Sequence, residues 1–88
     1  MYEVVLTDLA KGHLRKLPRK TQRRILKKVR WLARNVTVIR HERLQGHREF
    51  SLHSGQFRIP YTLDHENQRI YIEDIGEHNA VYRRLRRR

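Results

Sequence analysis

The sequence predicts a small α+β domain: two N-terminal helices packed on a largely antiparallel four-stranded sheet, in the order β-α-α-β-β-β with a short C-terminal helix. Two changes of period and the length predict it. Apolar side chains recur at three- and four-residue intervals between residues 10 and 36, and at every second residue from Phe50 to Ile72. A polar, aperiodic stretch at 37–46 separates the two regimes. Eighty-eight residues leave room for one domain, 1–88, with a single modest core and no deep internal cavity.

Each element has its own warrant. Tyr2, Val4 and Leu6 share one parity and read as a first strand. Thr7 or Asp8 offers an N-cap, and Ala10, Leu14 and Leu17 then mark one face of a short helix. Pro18 ends that helix and opens the next, since proline fits a first turn and not an interior. Between Pro18 and Asn35 the apolar arc is Ile25, Leu26, Val29, Leu32 and Ala33, continuing to Val36. The opposite face carries Arg23, Arg24, Lys27, Lys28, Arg30 and Arg34, with Trp31 away from the core arc.

Period two then takes over. Phe50 and Leu52, then Phe57, Ile59, Tyr61 and Leu63, then Ile70 and Ile72 define three strands of an antiparallel meander. If Leu52 and Phe57 face one core, the first loop has an even length, and a two-residue Ser54-Gly55 turn places Ser51 opposite Arg58. Leu63 and Ile70 impose the same condition on the second loop, centred on Glu66-Asn67. Pro60 lacks a ladder N–H, so an irregularity is expected beside it. After Gly76 the chain is expected to leave the sheet, with Val81, Tyr82 and Leu85 in a last helical turn before a basic tail, Arg83 to Arg88.

Composition narrows the function. With 21 Lys and Arg against 9 Asp and Glu the formal charge is +12, which points to a polyanion, nucleic acid first and an acidic protein second. A solubilising surface needs far less net charge. Apolar runs are too short for a membrane span or a secretory signal, and no cysteine is present, so a soluble protein of the cytoplasm is expected, with no membrane partner. Thiol chemistry and thiolate metal sites are excluded. His41, His47 and His53 stand six apart on a loop and a strand, a spacing that builds no shared ligand set, and no glycine-rich phosphate loop occurs; neither a metal nor a cofactor is expected. Ser51, His53 and Asp64 form a triad on paper only, without a nucleophile elbow.

If Phe50, Leu52, Phe57, Ile59 and Tyr61 face the core, Glu49, Ser51, His53, Arg58 and Thr62 face outward. A ribonuclease that uses the substrate's 2′-hydroxyl needs a base, a cation for the phosphorane and an acid for the leaving 5′-oxygen. Glu49 can serve as base, Arg58 as phosphate clamp, and His53 or His78 as acid, because imidazole titrates near neutrality. Polar alternation on any solvated sheet face yields such groups by accident, which is the competing reading.

Three segments in order resemble the RelE/ParE superfamily of toxins from toxin–antitoxin pairs. Arg43-Leu44-Gln45-Gly46 is similar to K-L-x-G, residues 54–61 (SGQFRIPY) to S-G-x-Y-R-V-x-Y, and residues 75–82 (IGEHNAVY) to V-G-H-R-x-x-V-Y; Leu17-Pro18 matches a frequent L-P between the helices. The resemblance implies a RelE-like fold and a ribosome-dependent messenger RNA endonuclease, held inactive by an acidic antitoxin, with ribosome and mRNA as its other partners. By the same resemblance Arg58 steadies the scissile phosphate and Tyr82 orients or stacks on the nucleotide. Lysines that one branch places on the second strand are here Glu49 and Ser51, and its C-terminal arginine is His78. Other branches pair a glutamate with a C-terminal histidine. The expected catalytic set is thus Arg58, Tyr82, His78 and Glu49, with Arg48, His53, Arg83, Arg84 and Arg86 on RNA. The ParE branch lacks a nuclease site and inhibits DNA gyrase, which is the alternative function; a plain nucleic-acid-binding protein is a third.

Overall fold

The computed structural model describes residues 1–87; Arg88, the end of the basic tail, lies outside the described residues. Strand β1 (Glu3–Leu6) leads into helices α1 (Asp8–Arg15) and α2 (Arg19–Asn35), followed by β2 (Phe50–Ser54), β3 (Phe57–Asp64), β4 (Arg69–Ile72), β5 (Gly76–Glu77) and α3 (His78–Arg86). The sheet runs β1-β4-β3-β2, with β5 also paired to β3. β1 lies parallel to β4, and the β2–β3 and β3–β4 ladders are antiparallel. No helix among the described residues is long and apolar enough to cross a membrane.

Local chemistry sets the helix ends. The Thr7 hydroxyl accepts from the Ala10 N–H at 3.2 Å and caps α1. Pro18 stands at the N-cap of α2, where its carbonyl accepts from the Gln22 N–H at 2.9 Å. The apolar arc of α2 is buried at Ile25, Val29, Leu32 and Ala33, and packs with Ala10 and Leu14 of α1 on Leu52, Ile59, Tyr61, Ile70 and Ile72 of the sheet. Each aliphatic side chain so buried contributes roughly 1.5–3 kcal/mol. The outer face of α2 keeps Arg23, Arg24, Lys27, Arg30 and Arg34 exposed.

Three details depart from the sequence expectations. The first turn is Gly55-Gln56 rather than Ser54-Gly55, because Ser54 pairs with Phe57. The positive φ falls on Gly55 (+60°), which suits a Gly-X turn. Moving both ends of the loop by one residue changes each partner by two positions, so every side chain keeps its face while Arg58 gains His53, not Ser51, as its opposite. The second hairpin keeps the expected register, Leu63 opposite Ile70. Its positive φ lies on Gln68 (+53°) rather than Asn67, whose side-chain and backbone N–H groups donate to the Asp64 carboxylate and hold that carboxyl below its ordinary pKa.

Third, the chain does not leave the sheet at Gly76. Residues Gly76 and Glu77 pair with Arg58 and Phe57, and α3 then runs for nine residues instead of one turn. Pro60 accounts for the break between β4 and β5. Its carbonyl accepts from the Glu73 N–H at 2.9 Å, so the edge that lacks an N–H faces the unpaired stretch between those two strands. The irregularity expected beside Pro60 is this interruption.

Candidate functional site

Arg58 stands where β3 is flanked by β2 on one side and β5 on the other, opposite His53 and Gly76 respectively. Directly opposed residues of antiparallel strands project to the same side. His53, Arg58 and the bare Cα of Gly76 therefore form a row across the face away from α1 and α2, while Leu52 and Ile59 project to the core. His53 is exposed and Arg58 half-buried. With strands about 4.8 Å apart, the row spans roughly 10 Å, the scale of one nucleotide and its phosphates.

Helix α3 begins at His78, two residues beyond Gly76, and its first N–H donates to the Gln56 carbonyl at 3.3 Å. His78 and Tyr82 are one helical turn apart, and their rings stack with centroids 4.5 Å apart and planes inclined by 38°. The His47 ring approaches Tyr82 at 6.2 Å. An open cleft of about 580 Å³ lies along this face of α3, lined by Gln45, His78, Asn79, Tyr82, Arg83 and Arg86. An exposed histidine ring and a half-buried tyrosine beside guanidinium groups offer what unstacked bases and phosphates require.

Two sequence assignments need correction. Glu49 was expected on the open face beside Arg58, but it is fully buried. Parity speaks only of a side of the sheet; what covers a residue was not legible. Pro60, on the side of β3 that carries Arg58, is also fully buried, and α3 packs against β3 and β5. Val81 and Leu85 join Leu44 in a second apolar cluster, apart from the main core, with Tyr82 against it. A carboxylate with no accessible surface cannot touch RNA.

Arg84 was expected to bind RNA, yet its guanidinium is committed to Asp74, with Nε 2.7 Å from Oδ2 and Nη2 3.2 Å from Oδ1. Of the other expected contacts, Arg48, Arg83 and Arg86 are exposed, and Arg83 and Arg86 line the cleft with His78 and Tyr82. His53 also borders a smaller pocket of about 180 Å³ with Lys28, Trp31, Arg40 and Ser51. Sequence reasoning missed His47 and Gln45, which reach Tyr82 and the cleft from the loop before β2, because an aperiodic loop carries no signal of direction. Among the described residues no three His, Asp or Glu side chains gather as a metal would require.

Residues 4–82 match the family described as ParE toxin of type II toxin–antitoxin system, parDE. No curated protein matches the sequence significantly. Solved structures share the fold. The toxin–antitoxin complex RelBE2 from Mycobacterium tuberculosis contains a chain 25% identical, with a TM-score of 0.72, over 88% of this chain and 98% of that one. The isolated E. coli RelE toxin gives a TM-score of 0.74 at 15% identity, over 99% of this chain and 98% of that one. The archaeal RelE–RelB complex from Pyrococcus horikoshii gives 0.71 at 20% identity, over 86% and 93%. The α+β order, the sheet topology and a family match across most of the chain lead to one conclusion: this chain belongs to the ParE toxin family of type II toxin–antitoxin systems and carries the fold of the RelE toxins.

Proposed function

We propose that the chain is an RNA-cleaving toxin acting in the cytoplasm on ribosome-bound message, neutralised by an acidic antitoxin. The observation that carries this reading is the ladder register of Arg58, opposite His53 on one side and, on the other, opposite Gly76 in the segment that leads to His78 and Tyr82. In the proposed reaction the ribose 2′-oxygen attacks phosphorus as one imidazole takes its proton. The P–O5′ bond breaks as the other imidazole protonates the leaving oxygen, giving a 2′,3′-cyclic phosphate and a 5′-hydroxyl. Arg58 stabilises the charge that grows on the phosphorane oxygens, Tyr82 stacks on a base, and Arg83 and Arg86 follow the backbone. Glu49 takes no direct part. Several structural neighbours were solved as toxin–antitoxin complexes, and a surface of +12 suits an acidic partner as well as RNA.

A gyrase-inhibiting toxin is the second reading, favoured by the ParE family match and by the withdrawal of Glu49 from the surface. Induction in cells separates the two. The nuclease reading expects messages with new 5′-hydroxyl ends within minutes, and loss of at least about a hundredfold in cutting by Arg58→Ala, the size seen when a transition-state donor is deleted. If message stays intact while supercoiling and replication fail, or if Arg58→Ala and His78→Ala cut as fast as the parent, the nuclease assignment is wrong.

A further inference from the structure

We propose that Asp74, with His13 and Arg84, is a positioning device that sets His78 and Tyr82 relative to Arg58. Asp74 is 3% exposed, and its carboxylate accepts four hydrogen bonds. His13 Nδ1 lies 2.7 Å from Oδ1, the Ile75 N–H donates to the same oxygen at 2.7 Å, and Arg84 adds the two contacts already described. The Asp74–Arg84 pair closes the segment 74–84 on itself. Within that closed segment lie Gly76, the ladder partner of Arg58, and both His78 and Tyr82. His13 fixes the closure to α1. A bidentate arginine–carboxylate pair fixes direction as well as distance, so the last turn of α3 cannot rotate without breaking it.

Other restraints on α3 are modest. Its N-cap, Glu77, makes no side-chain cap bond, and its apolar anchor is the small cluster of Leu44, Val81 and Leu85. Gly76 leaves space for the device: a Cβ there would stand 2.6 Å from Arg84 Nη2 and 3.2 Å from Val81 Cγ2. The guanidinium thus crosses over the β5 residue that neighbours Arg58. A purely stabilising ion pair does not need to span the residues that bear the site.

The inference rests on the nuclease reading for its effect on rate, and on geometry alone for its effect on the rings. Arg84→Lys keeps the charge and loses the fork; His13→Ala removes the tie to α1; Asp74→Asn is the stronger variant and, should it not fold, the first two suffice. Val29→Ala, in the core of α2 and remote from the site, serves as a control for lost stability. Expected for Arg84→Lys and His13→Ala are a tenfold to hundredfold fall in kcat for RNA cleavage, KM within about twofold, and displaced ring resonances of His78 and Tyr82 in the folded full-length chain. Val29→Ala should leave kcat and those resonances unchanged. Ring resonances that match the parent's in both Arg84→Lys and His13→Ala, or rates no lower than in Val29→Ala, overturn the proposal. A parent that cuts no RNA while the rings still respond overturns the nuclease reading and supports the positioning device.

Discussion

The Tyr61 hydroxyl lies 2.5 Å from Nδ1 of His41, whose Nε2 lies 2.7 Å from the Val36 carbonyl. A carbonyl can only accept, so Nε2 carries a proton, and in the neutral imidazole Nδ1 is then the acceptor and the tyrosine O–H donates. This chain of bonds ties the loop after α2 to β3 and needs Tyr61 neutral. Burial, reinforced by the Glu42 carboxylate, pushes the Tyr61 pKa up to about 12 from 10.

A pH dependence follows. Between about 10 and 12 the unfolded chain gives up the Tyr61 proton and the folded chain keeps it, so stability is whole below 10 and declines as pH rises through that window. Two units correspond to roughly 2–3 kcal/mol. Denaturant titrations at pH 9 and at pH 11.5 should show the decline in the parent and a smaller one in Tyr61→Phe. Equal declines in both proteins would assign the loss to other groups.

Burial also decides what Glu49 does. Replacing it with alanine should lower stability by about 1–3 kcal/mol, the magnitude for a buried polar group and its partners, which in a domain this size moves the melting midpoint by several degrees. Toxicity at a temperature where the variant is folded should stay near the parent's. A folded Glu49→Ala protein that has lost all cutting would return the carboxylate to the chemistry.

The contrast between Tyr61 and Glu49 shows what the sequence could tell. Period identified both N-terminal helices and four strands, and parity put Tyr61 in the core and Glu49 on the opposite side. Parity speaks of side, not of cover. Glu49 is fully buried, and α3, some thirty residues further on, packs against β3 and β5; the short apolar signal of Val81 and Leu85 gave no hint of where that helix would dock. Arg84 was unreadable for a related reason. Among the consecutive arginines of the C-terminus nothing local says which will meet Asp74, a contact made ten positions apart across a two-residue strand. Arg58 was legible because even-length hairpins preserve its face whichever turn forms.

Gly76→Ala tests the crowding over β5 directly. The added methyl meets Arg84 Nη2 and Val81 Cγ2, and Arg84 can retreat only by giving up part of its fork on Asp74. Overpacking of this kind destabilises by about 1–3 kcal/mol. Thermal melts of Gly76→Ala should show that loss, and Gly12→Ala, where a Cβ meets nothing within 4 Å, should show none. Equal melting behaviour of the two variants would mean that the helix shifts freely.

Finally, the cations of α3 should separate by their commitments. Arg83 and Arg86 are exposed along the cleft beside Tyr82, whereas Arg84 already holds a carboxylate. Binding of single-stranded RNA releases roughly 0.7 counterion per neutralised phosphate, so the slope of log K against log salt should flatten by about that amount in Arg83→Ala and in Arg86→Ala. Arg84→Ala should leave the slope close to the parent's and lower the melting midpoint instead, because it removes an internal partner and not a phosphate contact. Fluorescence titrations with a short uncleavable RNA at several salt concentrations measure all three. A slope that changes with Arg84 and not with its neighbours would mean that the guanidinium leaves Asp74 when RNA arrives.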